Sequence, residues 1–183
     1  MQRALIPFLL LVIATATARA DAEDPDDDAT TTYDHAKVIA VDGAAVVPVG
    51  DWSDGAGIGI GALARLTVPV AAKIAITGHA GLIYHLSKGS MGADAQTIEV
   101  PILGGVRYAF TPTIYAAGEL GLVYLRTSIS SGGQSMSGSD TKLGLAFAAG
   151  YRTGKLEARA GLYFPDTDVM GIFATVGWDV TTL

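Results

Sequence analysis

Charged residues recur at one parity along the alternating stretches of this 183-residue chain: Asp42, Glu99, Glu119, Glu157 and Asp179 against Arg65, Lys73, Arg107, Lys142, Arg152 and Arg159. Each sits opposite an aliphatic or aromatic face, so the charges share the side that the apolar residues leave. Acids and bases in near balance on one enclosed side point to mutual neutralisation, because an unpaired ion there costs several kcal/mol. Glu119 and Arg159 fall near the middle of their stretches and are expected to pair.

The other reactive residue types make weaker cases. His79 and His85 share a face, but six residues of strand hold them about 20 Å apart, too far to share one ion. Ser87 and Ser90 fall in a loop, with no base placed to activate them, so no catalytic residue is expected. Gly57-Ile58-Gly59-Ile60-Gly61-Ala62 fits a loose dinucleotide fingerprint. It lacks the following helix, since Pro69 comes soon after, and no acid lies about 20 residues on. Asp166 and Asp168 in a solvated loop give no more than a hint of a weak divalent-cation site, and the run Asp26-Asp27-Asp28, with no turn glycine or bidentate Glu at loop spacing, reads as a solvated tail. No metal and no cofactor is expected. With no cysteine in the chain, disulfides and thiolate metal sites are excluded.

The elements that must position the charges read as strands. Their two-residue alternation recurs eight times. The stretches run about Lys37 to Val49, Gly57 to Val68, Lys73 to Leu86, Thr97 to Phe110, Ile114 to Arg126, Lys142 to Arg152, Lys155 to Phe164 and Met170 to Val180. One face carries Val41, Ile60, Ile76, Ile102, Leu120, Leu122, Leu143, Leu162 and Val176; the other carries the charges, His79, His85, Tyr115, Tyr163, Thr175 and many glycines. Half of the chain is apolar, yet no run past the N-terminus reaches the roughly 20 residues of a membrane helix. A closed barrel turned apolar side out suits both facts. Eight is the smallest even strand number such barrels use.

Connections and rings give two further levels of order. Val70 to Ala72, Thr111 to Thr113 and Thr153-Gly154 read as tight turns. Asp51 to Ala56, Ser87 to Gln96, Ser128 to Asp140 and Pro165 to Asp168 read as longer or more polar loops, Ser128 to Asp140 as flexible and exposed. Short turns on one rim and longer loops on the other match the two ends of a membrane barrel. On that polarity the outward rings fall at two levels, Tyr84, Tyr124 and Phe164 at the loop rim and Tyr108, Phe110, Tyr151 and Trp178 at the turn rim, as interfacial girdles do.

On these residues the chain resembles the OmpA/OmpX-type eight-stranded outer-membrane β-barrels of Gram-negative bacteria, from about Lys37 to the C-terminus. The best local match is Glu99-Val100-Pro101-Ile102-Leu103-Gly104-Gly105-Val106-Arg107-Tyr108-Ala109-Phe110. The resemblance implies an all-β, antiparallel up-and-down transmembrane barrel, with outer-membrane lipid and the barrel-assembly machinery as partners. Members typically finish on an outward aromatic residue that this machinery reads; here the last three residues are Thr181-Thr182-Leu183 and the nearest outward aromatic is Trp178. Pro48 and Pro101 fall within strands and are expected at bulges or rim positions.

Outside the barrel, Met1 to Ala20 reads as a signal peptide cut after Ala20, from its apolar run and Ala18-Arg19-Ala20. Residues 21–35 read as an acidic disordered leader that accounts for most of the net charge of -6, and residues 36–183 as the barrel. The lack of a basic surface argues against a nucleic-acid partner. The expected function is structural or surface-interacting, with a charge-paired, plugged lumen, because eight strands leave an interior that side chains can fill. The alternatives are a small pore for ions or apolar solutes, and a soluble barrel of inverted parity binding an apolar ligand. No extracellular ligand is named by the sequence.

Overall fold

The computed structural model describes residues 36–87, 93–131 and 134–183; the expected signal peptide and acidic leader lie outside them. The described chain is a closed antiparallel barrel in which each strand pairs with the next and the last returns to the first. Its strands are β1 (Val38–Val49), β2 (Gly59–Ala71), β3 (Ile74–His85), β4 (Ala93–Ala109), β5 (Ile114–Ser131), β6 (Gln134–Thr153), β7 (Leu156–Asp166) and β8 (Val169–Thr182). Closure is completed between Val38 of β1 and Thr182 of β8. A short helix, α1 (Trp52–Gly55), interrupts the β1–β2 connection.

Parity decides which side of the sheet is inside. Ile102 is 60% exposed and Leu122 55%, whereas Arg65 is 2% and Glu99 0%. All eight strands keep this alternation: large apolar side chains cover the outer face, and the buried charges lie on the inner one. In water such a surface would expose a large apolar area, so the pattern demands hydrocarbon around it. The inverted parity needed by a soluble ligand-binding barrel is excluded by the same burial.

Three connections differ from expectation. β5 and β6 run on to Ser131 and Gln134, pairing in register through Ile129↔Met136. The Ser/Gly-rich stretch Ser128 to Asp140, expected as a loop, is therefore mostly paired strand, and Ala93 to Gln96 likewise extends β4. Serine and threonine tolerate extended backbone, and pairing satisfies the main-chain groups that composition alone assigned to solvent. Pro165 and Asp166 belong to β7, and Asp166↔Val169 leaves only Thr167 and Asp168 between strands. Lys73, expected inside, lies exposed in the β2–β3 turn.

The prolines are absorbed where a missing N–H does least harm. Pro69 and Pro165 lie at register shifts. Pro48 lies near the loop end of β1, beyond the last β1–β2 pair, Val46↔Gly59. Pro101 departs from the expected bulge. The β3–β4 pairing lapses opposite it, between Ala80↔Ile102 and Ile83↔Glu99, and resumes in the same register.

Candidate functional site

The turn-side half of the interior holds a layer of ions to which every strand contributes. Arg65 on β2 lies at its centre, with Nε 3.0 Å from Asp42 Oδ2, Nη1 3.2 Å from Glu157 Oε1 and Nη2 3.6 Å from Asp179 Oδ1. The first is an aligned hydrogen bond; the other two are electrostatic contacts without hydrogen-bond alignment. Glu157 accepts from Arg107 Nη2 at 2.6 Å and from the Tyr115 hydroxyl at 2.7 Å. The Arg107 guanidinium stacks on the Tyr115 ring, 3.4 Å from its centroid. Arg152 donates to Asp179 at 2.6 Å.

Deeper in, Arg159 donates to Glu119 at 2.9 Å and to the Thr175 hydroxyl at 3.2 Å. His79 bridges the two groups, with Nδ1 2.9 Å from Glu119 and Nε2 3.7 Å from Asp42. Four carboxylates, Asp42, Glu119, Glu157 and Asp179, thus meet four guanidinium groups, and the layer balances without an outside counter-ion. Room for it comes from small inward residues. A Cβ on Gly150 would run into the Tyr115 ring, and one on Gly177 into the Asp42 carboxylate.

Above the ions the interior turns apolar. Val46, Leu63, Ile83, Leu103, Val123 and Phe173 pack into one belt with Tyr163. Above the belt is a second, separate polar group. His85 Nε2 lies 3.0 Å from Glu99 Oε2, and the Tyr163 hydroxyl donates to Glu99 Oε1. Glu99, expected in the main network, is therefore held apart from it by an apolar layer. The Trp52 ring of α1 packs on His85, centroid to centroid 5.2 Å.

The two ends differ. On the turn side the interior opens as a vestibule of about 350 Å³ whose lining includes Thr67, Arg107, Tyr115 and Arg152. On the loop side Lys142, also expected in the interior network, is 38% exposed and pairs with Asp140 at 3.0 Å and Asp166 at 3.4 Å. It lies at the rim because β6 is longer than its alternation indicated. Lys142 and the Thr141 N–H hold the Asp140 carboxyl below its ordinary value. Tyr84, Tyr124 and Phe164 at the loop rim and Tyr108, Phe110, Tyr151 and Trp178 at the turn rim occupy outward positions, with Tyr108 and Phe110 in edge contact at 5.2 Å.

Beyond the loop rim β4, β5 and β6 continue as a three-stranded blade. β7 pairs with β6 only from Leu145↔Phe164 toward the turn side. Gly144 still lies against the Phe164 carbonyl and Lys142 reaches Asp166, so among the described residues it is Gln134–Thr141 of β6 that has no paired strand on that edge. Ile129 and Met136 remain 47% and 78% exposed on the blade. Sequence reasoning placed Tyr115, Tyr163, His79 and Thr175 on the inner side without assigning them to a network, and inward parity was the signal for all four. Trp52 carried no such signal, because it lies outside every alternating stretch. Among the described residues no group of three or more histidines or carboxylates is arranged to hold a metal.

No family model matches the chain, and no curated protein matches it. Solved structures do. The crystal structure of Ail, the attachment invasion locus protein of Yersinia pestis, superposes with a TM-score of 0.63 at 16% identity, covering 80% of this chain and 98% of that one. The backbone structure of the Y. pestis outer membrane protein Ail in a phospholipid bilayer nanodisc gives 0.52 at 16% identity, covering 80% and 99%. Neisserial surface protein A gives 0.52 at 13% identity, covering 77% and 94%. At these identities the likeness establishes the fold, an eight-stranded outer-membrane-type β-barrel.

Proposed function

We propose that this chain, which has the fold of eight-stranded outer-membrane barrels, is an outer-membrane surface-interaction protein with a plugged lumen and a binding blade. The observation that carries the reading is the open β6 edge at Gln134–Thr141, raised to and above the loop rim by pairing with β5. An unpaired edge presents main-chain donors and acceptors in a strand repeat, and the partner that matches them is another extended polypeptide. The neutral ion layer and the apolar belt above it support a closed lumen, since a dry apolar constriction opposes ion passage. The reading is non-catalytic, and the lipid and the assembly machinery expected from the sequence remain its partners.

Charge narrows the class of partner. Ail has also been crystallised with the heparin analogue sucrose octasulfate. Here the described loop-side residues Asp51, Asp54, Asp140, Asp166 and Asp168 outnumber Arg126 and Lys142, so a polyanion is repelled and a neutral or basic polypeptide is favoured.

The test uses Gram-negative cells displaying the chain. Cells with the parent barrel are expected to attach to an immobilised neutral, unstructured polypeptide, and cells in which residues 128–137 are replaced by a two-residue turn to lose that attachment. Equal attachment would remove the blade from the reading. Steady unitary conductance of the purified parent in planar bilayers would replace the plugged lumen with a pore.

A further inference from the structure

Two main-chain bonds hold the β1–β2 connection, Gly57 N–H to the Leu86 carbonyl at 3.2 Å and Leu86 N–H to the Ile58 carbonyl at 2.9 Å, and Trp52 packs on the apolar belt. Beside these, the connection rests on one imidazole through two side-chain contacts. His85 Nδ1 lies 3.1 Å from the Gly57 carbonyl oxygen, and the Trp52 ring leans on the same imidazole at 52°. His85 is buried at 1% and its carboxylate partner Glu99 at 0%. A carbonyl oxygen only accepts, so Nδ1 carries a hydrogen. The 3.0 Å contact between Nε2 and Glu99 then needs one more proton between the two groups, whichever atom holds it. Without that proton the neutral imidazole has one N–H for two acceptors, so a lone pair faces either the Glu99 carboxylate or the Gly57 carbonyl and one of the two contacts becomes repulsive.

We infer that His85 and Glu99 share one exchangeable proton that latches α1, with Trp52, over the loop end of the lumen, and that losing this proton releases the connection. The surroundings leave few other groups to do this. From β4 the imidazole meets Glu99. From β7 Tyr163 donates to the far oxygen of that carboxylate. From β2 it meets Gly59, where a Cβ would fall 2.8 Å from the ring and which brings no charge. On its own strand, β3, His79 lies on the other side of the apolar belt among Asp42 and Glu119. Asp51 and Asp54 flank Trp52 but are exposed, and Lys142 at the rim is paired with Asp140 and Asp166.

The chain has two tryptophans, and Trp178 faces outward, so Trp178→Phe leaves Trp52 as the sole reporter. In the detergent-solubilised full barrel, acrylamide quenching of Trp52 is followed from about pH 5 to 10. Quenching is expected to stay low while the proton is held and to rise several-fold in a single one-proton step when it is lost. In Glu99→Gln the amide N–H donates to neutral Nε2 and its oxygen accepts from Tyr163, so Trp52 should stay shielded with no pH step. His85→Gln, which cannot titrate, is expected to lose the step as well, and heat-dependent gel mobility verifies that each variant is folded. A flat profile in the parent would overturn the inference, as would an unchanged step in either folded variant.

Discussion

Arg159 on β7 reaches past the whole of β6 to place its guanidinium 2.9 Å from Glu119 on β5. A contact between side chains two strands apart requires a sheet curved tightly enough for its inner face to meet itself, which an eight-stranded barrel supplies. The pair is buried, and both partners hold other groups in place, Arg159 the Thr175 hydroxyl and Glu119 the His79 ring.

Glu119→Ala leaves the Arg159 charge and His79 without their carboxylate. Removing one partner of a buried pair costs about 3–5 kcal/mol, so the guanidinium unfolding midpoint of the refolded barrel in detergent should fall markedly. An unchanged midpoint would mean that the ion layer does not stabilise the fold.

Glu157 is shared by Arg65, Arg107 and Tyr115, so substitutions around it should be non-additive. Tyr115→Phe alone is expected to cost about 1.5–3 kcal/mol for the lost hydrogen bond to a charged acceptor. In the Glu157→Gln background its cost should change by about 0.5–3 kcal/mol, as coupled neighbours do. A double-mutant cycle on unfolding free energies reads the difference, and simple additivity would separate Tyr115 from the network.

Gly177 and Gly104 offer a matched comparison. A Cβ at Gly177 meets the Asp42 carboxylate and comes within 3.2 Å of Arg65 Nη2, whereas one at Gly104 finds its nearest atom at 3.8 Å. Gly177→Ala should therefore destabilise by roughly 1–3 kcal/mol through overpacking, while Gly104→Ala should be tolerated. Equal midpoints for the two variants would contradict the packing described for the ion layer.

Lys142→Gln should leave the unfolding midpoint unchanged, because the Lys142–Asp140 pair is exposed and screened by solvent. Its effect should appear locally. Asp140 titrates below its ordinary value of 3.8, so the pairing is fully present above that value and is lost as pH falls through the lower, folded one. Carbon-13 titration of the Asp140 carboxyl should show a depressed midpoint in the parent that moves upward in Lys142→Gln. The same midpoint in both would mean that Lys142 is not what holds the carboxylate charged.

Strand number, parity and the inner placement of Asp42, Arg65, Arg107, Glu119, Arg152, Glu157, Arg159 and Asp179 were legible in the sequence. A period of two maps directly onto the two sides of a sheet, and only one of those sides carries ions. Less legible was where strands stop. Ser128 to Asp140 has loop composition but strand pairing, because the backbone hydrogen bonds that extend β5 and β6 are indifferent to Ser and Thr side chains. Lys73 and Lys142 were assigned to the interior by parity alone, and parity carries no information about height. The first lies in a turn and the second at a rim.

By itself, then, the order of residues determined which side chains share a face, since alternation is a property of the extended chain that survives into any sheet. Which of those side chains meet was decided only by closure. Barrel curvature and register brought Arg159 to Glu119 and Arg65 to Glu157, put an apolar belt between Glu99 and the other ions, and folded Trp52 over His85. None of these neighbours is near its partner along the chain, and a contact across a barrel depends on height and stagger, which no local spacing encodes.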